Sequence, residues 1–244
     1  MFSYDTHMMY SFWGLYKKEL SAYFYSLILY IFLTVFLVTL SFFFWKETFL
    51  VGQSSMRIFF EYIPWFFLFL LPALTMRIWS EEKKAGTLEI LRSLPVSSTS
   101  IVLAKYCSLC TLLFMVLVLS FPFAVILFFL GGVDIGAVCG GFLGAFLLGG
   151  SFLSIGQFFS FLTKNQIVAF ILTIISLFLL FVIGFPLFFN TRGVVSNFLY
   201  AVSAHTHYLD FTKGIISMSG MYYYVSLVVL FLYLNVRFLS WQEK

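Results

Sequence analysis

Charged side chains are scarce in this sequence. They make up only 10% of the 244 residues, and there are just three cysteines and five prolines. Apolar residues instead account for 62% and aromatic residues for 22%, with a mean hydropathy of +1.03. A soluble domain carries about 25% charged residues, and it could not bury this much apolar surface. The composition therefore excludes a soluble protein and predicts an all-α membrane protein.

A nucleotide-phosphate loop is also missing from the sequence. No glycine is followed directly by lysine, so the Gly-x-x-x-x-Gly-Lys-Ser/Thr motif that cradles phosphates does not occur. We therefore expect the chain to have no ATPase activity of its own. We also expect it to bind no cofactor and no metal. The net charge of +4 follows from the orientation argued below, so it gives no reason to expect a nucleic-acid partner.

Six apolar segments are candidates for membrane spans. The first contains no charged residue and would reach roughly 28 Å as a helix, close to the hydrocarbon thickness of a bilayer. A cleaved signal peptide has a shorter apolar core nearer the start, so we expect this span to be retained. The predicted spans are 27–45, 63–78, 101–130, 135–162, 166–189 and 221–239, within one transmembrane domain over residues 1–244.

The distribution of lysine and arginine predicts the orientation. With six spans both termini lie on one side, and cytoplasmic segments carry the excess of positive charge. Four cations fall on the far side: Lys46, Arg57, Arg192 and Lys213. The terminal side has Lys17, Lys18, Arg77, Lys83, Lys84, Arg92, Lys105, Lys164, Arg237 and Lys244. We therefore predict a multi-pass protein of the cytoplasmic (inner) membrane with both termini in the cytoplasm.

The segment 11–26, ahead of the first span, mixes aromatic and charged residues. Trp13 is followed within two turns by Lys17, Lys18 and Glu19. Aromatic rings at the headgroup level with cations toward water are typical of an amphipathic interfacial helix. A simple upstream extension of the first span is the alternative.

The stretch 76–97 is the most charged part of the chain. Its helix-compatible residues meet Gly86, which is unfavourable inside a helix, so we predict an elbow there. Thr87 can then cap a second short helix, which Pro95 ends. This second helix places Leu88, Leu91 and Leu94 on one face and Glu89 and Arg92 on another. A solvated surface segment is the plain alternative, since charge runs usually have no other role.

The same stretch closely resembles the Glu-Glu-x-x-x-Gly-Thr-Leu-Glu-x-Leu-x-x-x-Pro-Val-Ser signature of ABC-2 type transporter permeases. More narrowly, the chain is similar to the permease subfamily associated with gliding motility and multicopper-reductase maturation. Further blocks that resemble this subfamily lie near the start, before the second span, at 163–172 and at 211–227. The likeness thus extends over most of the chain in the same order.

The resemblance implies a six-span permease whose elbow is a coupling helix docked in a separate ATP-hydrolysing subunit. The implied assembly has two copies of this ATPase, which uses ATP and Mg, and a second permease chain that is identical or a paralogue. Family membership favours export of a substrate that the sequence does not identify. The residues that match the signature are Glu81, Glu82, Gly86, Thr87, Glu89, Leu91 and Pro95.

The segment 203–219 corresponds, by the same resemblance, to an outer-face element that dips toward the bilayer. Its apolar run is bracketed by Gly214 and Gly220 and is too short to cross the membrane. Both a re-entrant turn and an ordinary surface loop helix are compatible with this pattern.

Other residues with reactive side chains fit packing or loop roles. Cys107 and Cys110 lie in an apolar run without basic neighbours that would stabilise thiolates, and Cys139 lies in a glycine-rich span. His205 and His207 could share a metal, but no third ligand is evident, so we interpret them as loop residues.

Small and polar residues in the spans complete the candidates. Glycines recur every fourth position at 132, 136, 140 and 144, a stripe that permits close packing within the chain or against another subunit. The main polar residues of the spans are Ser151, Ser154, Gln157 and Thr173. So few polar groups argue against an ion channel. Two other hypotheses stay open: an intramembrane enzyme, and a non-transporting scaffold that anchors a cytosolic ATPase.

Overall fold

The computed structural model describes residues 2–46, 56–93, 96–131, 134–185 and 194–241. Every regular element in these residues is an α-helix, which agrees with the predicted all-α class. The helices are α1 Phe2–Phe24, α2 Leu27–Trp45, α3 Met56–Thr75, α4 Arg77–Ala85, α5 Thr87–Ser93, α6 Ser98–Gly131, α7 Ile135–Leu162, α8 Gln166–Val182, α9 Val194–Val202, α10 Ala204–Thr212 and α11 Met218–Trp241.

Within the described residues, five helical segments are long and apolar enough to cross a membrane. They are Leu27–Trp45, Phe59–Ala85, Ser98–Phe129, Ile135–Leu162 and Met218–Trp241. The first and fourth match the predicted spans residue for residue. The second runs through a turn at Met76 from α3 into α4, so it is longer than predicted.

The fifth predicted span, 166–189, ends earlier than expected. Helix α8 ends at Val182 and is followed by a turn at Ile183 and Gly184. At Gly184 an added Cβ would lie 2.1 Å from the Ser203 hydroxyl, so the chain here is pressed against another segment. The following Pro186 also disfavours helical geometry at Phe185. Apolar composition alone did not distinguish this buried turn from a continuing helix.

Helix α7 lies at the centre of the fold and contacts α3, α4, α6, α8, α10 and α11. Its glycines allow the close approach of α10. An added Cβ on Gly140 would lie 2.9 Å from the Phe211 carbonyl, and one on Gly144 would lie 2.5 Å from the Phe211 Cβ. Within the described part of the stripe, Gly140 and Gly144 therefore serve packing inside the chain; Gly132 lies outside the described residues.

Residues 203–212 are tucked into the bundle at the end opposite the elbow, whereas Lys213, Ile215, Ile216 and Met218 are exposed. Ser203 separates α9 from α10 and is fully buried, as are Tyr208 and Phe211. The Tyr208 hydroxyl donates to the Phe60 carbonyl over 2.8 Å, and the Tyr224 hydroxyl donates to the Ala204 carbonyl over 2.7 Å. Helix α10 is thus held inside the bundle, by contacts with α3, α7, α8 and α11.

Candidate functional site at the elbow

The chain bends sharply between α4 and α5, as the sequence predicts. Gly86 ends α4 in the left-handed conformation, with φ 72° and ψ 4°. Glycine adopts this conformation without the penalty that a Cβ carries. Thr87 is the first residue of α5, and its hydroxyl donates back to the Glu82 carbonyl over 3.4 Å. This contact bridges the two helices of the elbow and differs from the predicted cap on the second helix.

The short helix α5 has the predicted two faces. Leu88 and Leu91 are buried inside the chain, whereas Glu89 and Ile90 are exposed. Leu91, which matches the signature, therefore anchors the elbow from within. Leu94 and Pro95 lie outside the described residues, as does the side chain of Arg92.

A buried lysine joins the elbow to two other helices. The Lys105 ammonium lies 2.8 Å from Glu19 Oε1 and 2.9 Å from Glu82 Oε1, and it donates to the Ile78 carbonyl over 3.2 Å. Its side chain is only 2% exposed. A buried charge costs several kcal/mol unless it is paired and hydrogen-bonded, so these contacts are what makes a lysine tolerable here. The group links α6 to α1 and α4.

A second lysine balances the charge of this network. Lys18 lies 3.8 Å from Glu82 Oε1 and 4.0 Å from Glu19 Oε1, and it remains exposed to solvent. Two carboxylates and two ammonium groups thus form one neutral cluster. We refer to Lys18, Glu19, Glu82 and Lys105 as the elbow network.

The two adjacent acids of the signature have different surroundings. The Glu82 side chain is 15% exposed and points into the elbow network, whereas the Glu81 side chain is 58% exposed and pairs with Arg77 over 3.5 Å. Only Glu81 therefore presents its carboxylate at the surface. Glu19, predicted as part of the interfacial helix, also faces the interior.

Arg77 and Tyr23 hold the junction between α1 and α2 against the junction between α3 and α4. The Arg77 guanidinium donates to the Ser26 hydroxyl and lies 5.3 Å from the centroid of the Tyr23 ring. The Tyr23 hydroxyl donates to the Leu74 carbonyl over 2.9 Å. Burial raises the pKa of Tyr23 well above its usual value, so the hydroxyl keeps its proton and remains a donor.

Ser160 of α7 closes the break between α3 and α4. Its hydroxyl accepts from the Trp79 and Ser80 amides over 3.1 and 3.3 Å and donates to the Met76 carbonyl over 2.9 Å. The first amides of a helix have no partner within it, so this hydroxyl supplies what α4 lacks. The Lys83 ammonium donates to the Phe161 carbonyl and lies 3.7 Å from the centre of its ring. The end of α7 is therefore attached to the elbow by the Ser160 hydroxyl and by the carbonyl and ring of Phe161.

Helix α1 presents two faces along its described side chains. Leu15, Glu19 and Tyr23 are buried, and α1 packs on α6, whereas Trp13 and Lys17 are exposed. A turn at Tyr25 and Ser26 separates α1 from α2, so α1 is not a straight extension of that helix.

A cleft of about 360 Å³ lies between α1 and the elbow. Both cations and carboxylates line it, and it opens at the surface beside the exposed Glu81 and Thr87. The charged residues of its wall are Lys18, Glu19, Arg77, Glu81 and Glu82. The cleft combines a rigid base in the elbow network with an accessible rim, and this suits a surface that receives another protein element.

The four polar residues singled out in the spans by the sequence each donate a hydrogen bond within the chain. The Gln157 amide donates to the Val102 carbonyl over 3.1 Å, which ties α7 to α6 one turn from Lys105. Ser151, Ser154 and Thr173 each donate to a carbonyl of their own helix. These side chains do not together line a polar pathway.

Among the described side chains, His205 and His207 stack on different aromatic rings. The His205 ring stacks on Phe185 with 4.2 Å between centroids, whereas His207 stacks on Tyr223 at 4.5 Å. Burial lowers the pKa of His205, which favours the neutral ring in this stack. In the described ranges no group of three His, Cys, Asp or Glu residues is placed to hold a metal.

Sequence reasoning missed the role of Lys105 and Ser160. Lys105 entered the sequence argument only as a positive charge that sets orientation. A lysine at the start of a long apolar run needs a partner, however, and that requirement was a signal for a buried carboxylate. Ser160 gave no comparable signal, because a serine in an apolar helix usually bonds to its own backbone.

The comparison with known families agrees with this architecture. A family model described as "ABC-2 family transporter protein" matches residues 16–180. The match covers the elbow, the whole elbow network and α2 to α7. No curated protein matches the sequence.

Proposed function

Because the chain belongs to the ABC-2 family of transporter proteins, we propose that it is an exporter permease driven by a separate ATPase subunit. The family makes it a membrane transport component of an ABC transporter rather than an enzyme. In this proposal ATP and Mg are used by the partner, and this chain supplies the path for an unidentified substrate. The elbow network is the observation that carries the proposal.

The elbow is the proposed coupling element. Gly86 sets the bend, and the exposed Glu81, Thr87 and Glu89 form the contact surface for the ATPase. Glu82 and Leu91 act from within: one is paired to Lys105, and the other is packed against the body of the chain. Pro95 is expected to end the coupling helix, as the family signature implies.

The network explains how a push on the elbow would reach the bundle. Paired buried charges resist separation, because pulling them apart leaves an uncompensated charge in a medium of low polarity. A displacement of α4 therefore carries α1 through Glu19 and α6 through Lys105. Ser160 adds α7 to the same body. Rigid-body movement of these helices is the proposed route from ATP hydrolysis to transport.

The proposed assembly contains two permease chains and two ATPase chains. Each permease presents one elbow, and an ABC ATPase dimer offers two docking grooves. The second permease chain is either identical or a paralogue. Lipid surrounds the bundle, and α1 lies at the bilayer surface with Trp13 at headgroup level and Lys17 in water.

Six crossings are proposed for the topology, with α8 as the fifth. Helix α8 would reach roughly 25 Å at 1.5 Å per residue, nearly the thickness of the hydrocarbon core. It starts beside Lys84 of the elbow and ends beside Ser203 at the opposite end of the bundle. Both termini then lie on the cytoplasmic side of the inner membrane. The single domain extends over residues 1–244.

Purification with and without the cognate ATPase tests the proposal. The chain alone should hydrolyse no ATP, and the reconstituted complex should show vanadate-sensitive turnover with equal copies of the two subunits. Glu89→Lys should weaken the complex, because it reverses the charge of an exposed contact residue, whereas Glu89→Gln should weaken it less. Turnover that no substrate stimulates would favour the scaffold hypothesis, and ATPase activity of the lone chain would refute the proposal.

A further inference from the structure

A second cleft, of about 510 Å³, lies on the other side of α4 from the elbow network. It is formed where the end of α4 meets the start of α8. Its lining residues are Lys84, Lys164, Asn165, Gln166 and Ile167. The cleft thus contains two cations and no carboxylate, unlike the mixed-charge cleft beside α1.

Both lysines are available to a ligand. Lys84 and Lys164 are exposed, and neither forms an ion pair with a carboxylate in the part of the chain that the structure describes. The first turn of α8 faces the same region, and the positive end of its dipole favours a negative group there. The charge of the cleft therefore complements a phosphate.

An exposed apolar stripe leads away from this cleft along α8. Ile167, Ile171 and Ile175 follow at intervals of four residues, and they are 67%, 49% and 51% exposed. Residues four apart lie on one face of a helix, so the stripe is continuous. Ile167 belongs to both the stripe and the cleft wall. A ligand that fills both needs an anionic head joined to a long apolar tail.

We propose that the cleft between Lys84 and Lys164 binds the headgroup of an anionic phospholipid, whose acyl chains lie along the α8 stripe. Basic pockets at the membrane surface between spanning helices are suited to such headgroups. Lys84 directly precedes the Ala85–Gly86 end of α4, so the bound lipid bridges the elbow to α8. This inference rests on the proposed crossing of α8, in which the stripe faces the hydrocarbon, and a protein partner fits such a surface less well.

Native mass spectrometry of the purified full chain tests this lipid site. The chain is equilibrated in micelles with equal amounts of phosphatidylglycerol and phosphatidylcholine, and the retained lipid is counted. The wild type should retain phosphatidylglycerol preferentially. Lys84→Gln with Lys164→Gln should reduce that preference by about thirtyfold, since each of these two lysines pairs with the bound headgroup and one such charge at a membrane surface contributes roughly a factor of five.

The matched control removes two other cations assigned to the same side of the protein. Lys17→Gln with Arg237→Gln lowers the net charge equally and changes exposed residues only. This control should keep the preference for phosphatidylglycerol, and both double variants should unfold at the wild-type temperature. Equal loss in both variants would mean general charge attraction and would overturn the site.

Two further arms exclude other ligands. Glycerol 3-phosphate carries the headgroup charge without acyl chains, and a tenfold excess should leave the lipid bound. Displacement by it would assign the cleft to a soluble anion and overturn the proposal. Unchanged lipid retention in Lys84→Gln with Lys164→Gln, together with lost ATPase binding, would make the cleft a protein-docking surface and would equally overturn it.

Discussion

Lys105 and Glu19 lie 86 residues apart in sequence, yet their charged groups meet at 2.8 Å inside the protein. This contact fastens α1 to the start of α6, which is long and apolar enough to cross a membrane. Glu82 completes the arrangement from the elbow at 2.9 Å. These contacts therefore join three segments that look separate in the sequence into one mechanical unit. The segments are the leading helix α1, the charged stretch of the elbow and the apolar run of α6.

Removal of the central cation should destabilise that unit strongly. Lys105→Met keeps the length of the side chain but leaves Glu19 and Glu82 buried with little compensation. We expect a loss of about 3–5 kcal/mol, typical of a broken buried ion pair, seen as a lower midpoint of thermal unfolding in detergent. Lys18→Met is the control, because Lys18 is exposed and should contribute at most about 1 kcal/mol. Equal effects of the two substitutions would contradict the network.

The neighbouring acids provide a second control on the same network. Glu82→Gln should strongly weaken transport-coupled ATP turnover while membrane abundance stays near wild type, because the elbow loses its ion pair with Lys105 and keeps only the Ile78 carbonyl as a contact to that ammonium. Glu81→Gln removes an exposed pair with Arg77 and one carboxylate of the proposed contact surface, so it should weaken coupling less than Glu82→Gln does. The reverse order of effects would place the main coupling role on the exposed Glu81 and would contradict the elbow network.

The elbow illustrates what sequence could and could not predict. A glycine inside a charged helical stretch predicted the bend at Gly86, since its local conformational preference needs no knowledge of distant residues. The ends of α2 and α7 were predicted from equally local information, because the apolar runs stop there. The partners of Glu19 and Glu82 could not be predicted, because an ion pair across 86 residues leaves no periodicity in the sequence. The role of Ser160 could not be predicted for the same reason, because its partners lie at the junction of two other helices.

Ser160→Ala should loosen the junction of α3 and α4. The substitution leaves the Trp79 and Ser80 amides without their side-chain acceptor, and an unsatisfied buried amide costs about 1–3 kcal/mol. We expect a lower unfolding midpoint together with weaker coupling of ATP hydrolysis to transport. Ser154→Ala is a close control, since that hydroxyl bonds only to the Ser151 carbonyl of its own helix. If Ser154→Ala is as damaging as Ser160→Ala, the cap is not the cause.

Gly86 should tolerate only residues that accept a left-handed backbone. An added Cβ meets no atom within 4 Å, so any loss must come from the φ of 72° and not from a clash. Gly86→Val should cost roughly 1–2 kcal/mol and weaken ATPase coupling, because a branched residue disfavours this conformation. Gly86→Asn should keep most of the coupling, since asparagine visits it readily. Wild-type coupling in both variants would show that the bend has no role, and equal loss in both would show that the left-handed conformation is not the cause.

The crossing of α8 decides between five and six spans, and accessible cysteine probes can measure it. The three native cysteines are first replaced, and single cysteines are introduced at the exposed Ser21, Lys164, Lys213 and Trp241. If α8 crosses, an impermeant thiol reagent should label Lys213→Cys in intact cells, and it should label the other three only after the membrane is opened. Ser80 is unsuitable as a probe because it is fully buried. Labelling of Lys164→Cys and Lys213→Cys from the same side would show that α8 does not cross, and labelling of Ser21→Cys from outside would invert the proposed orientation.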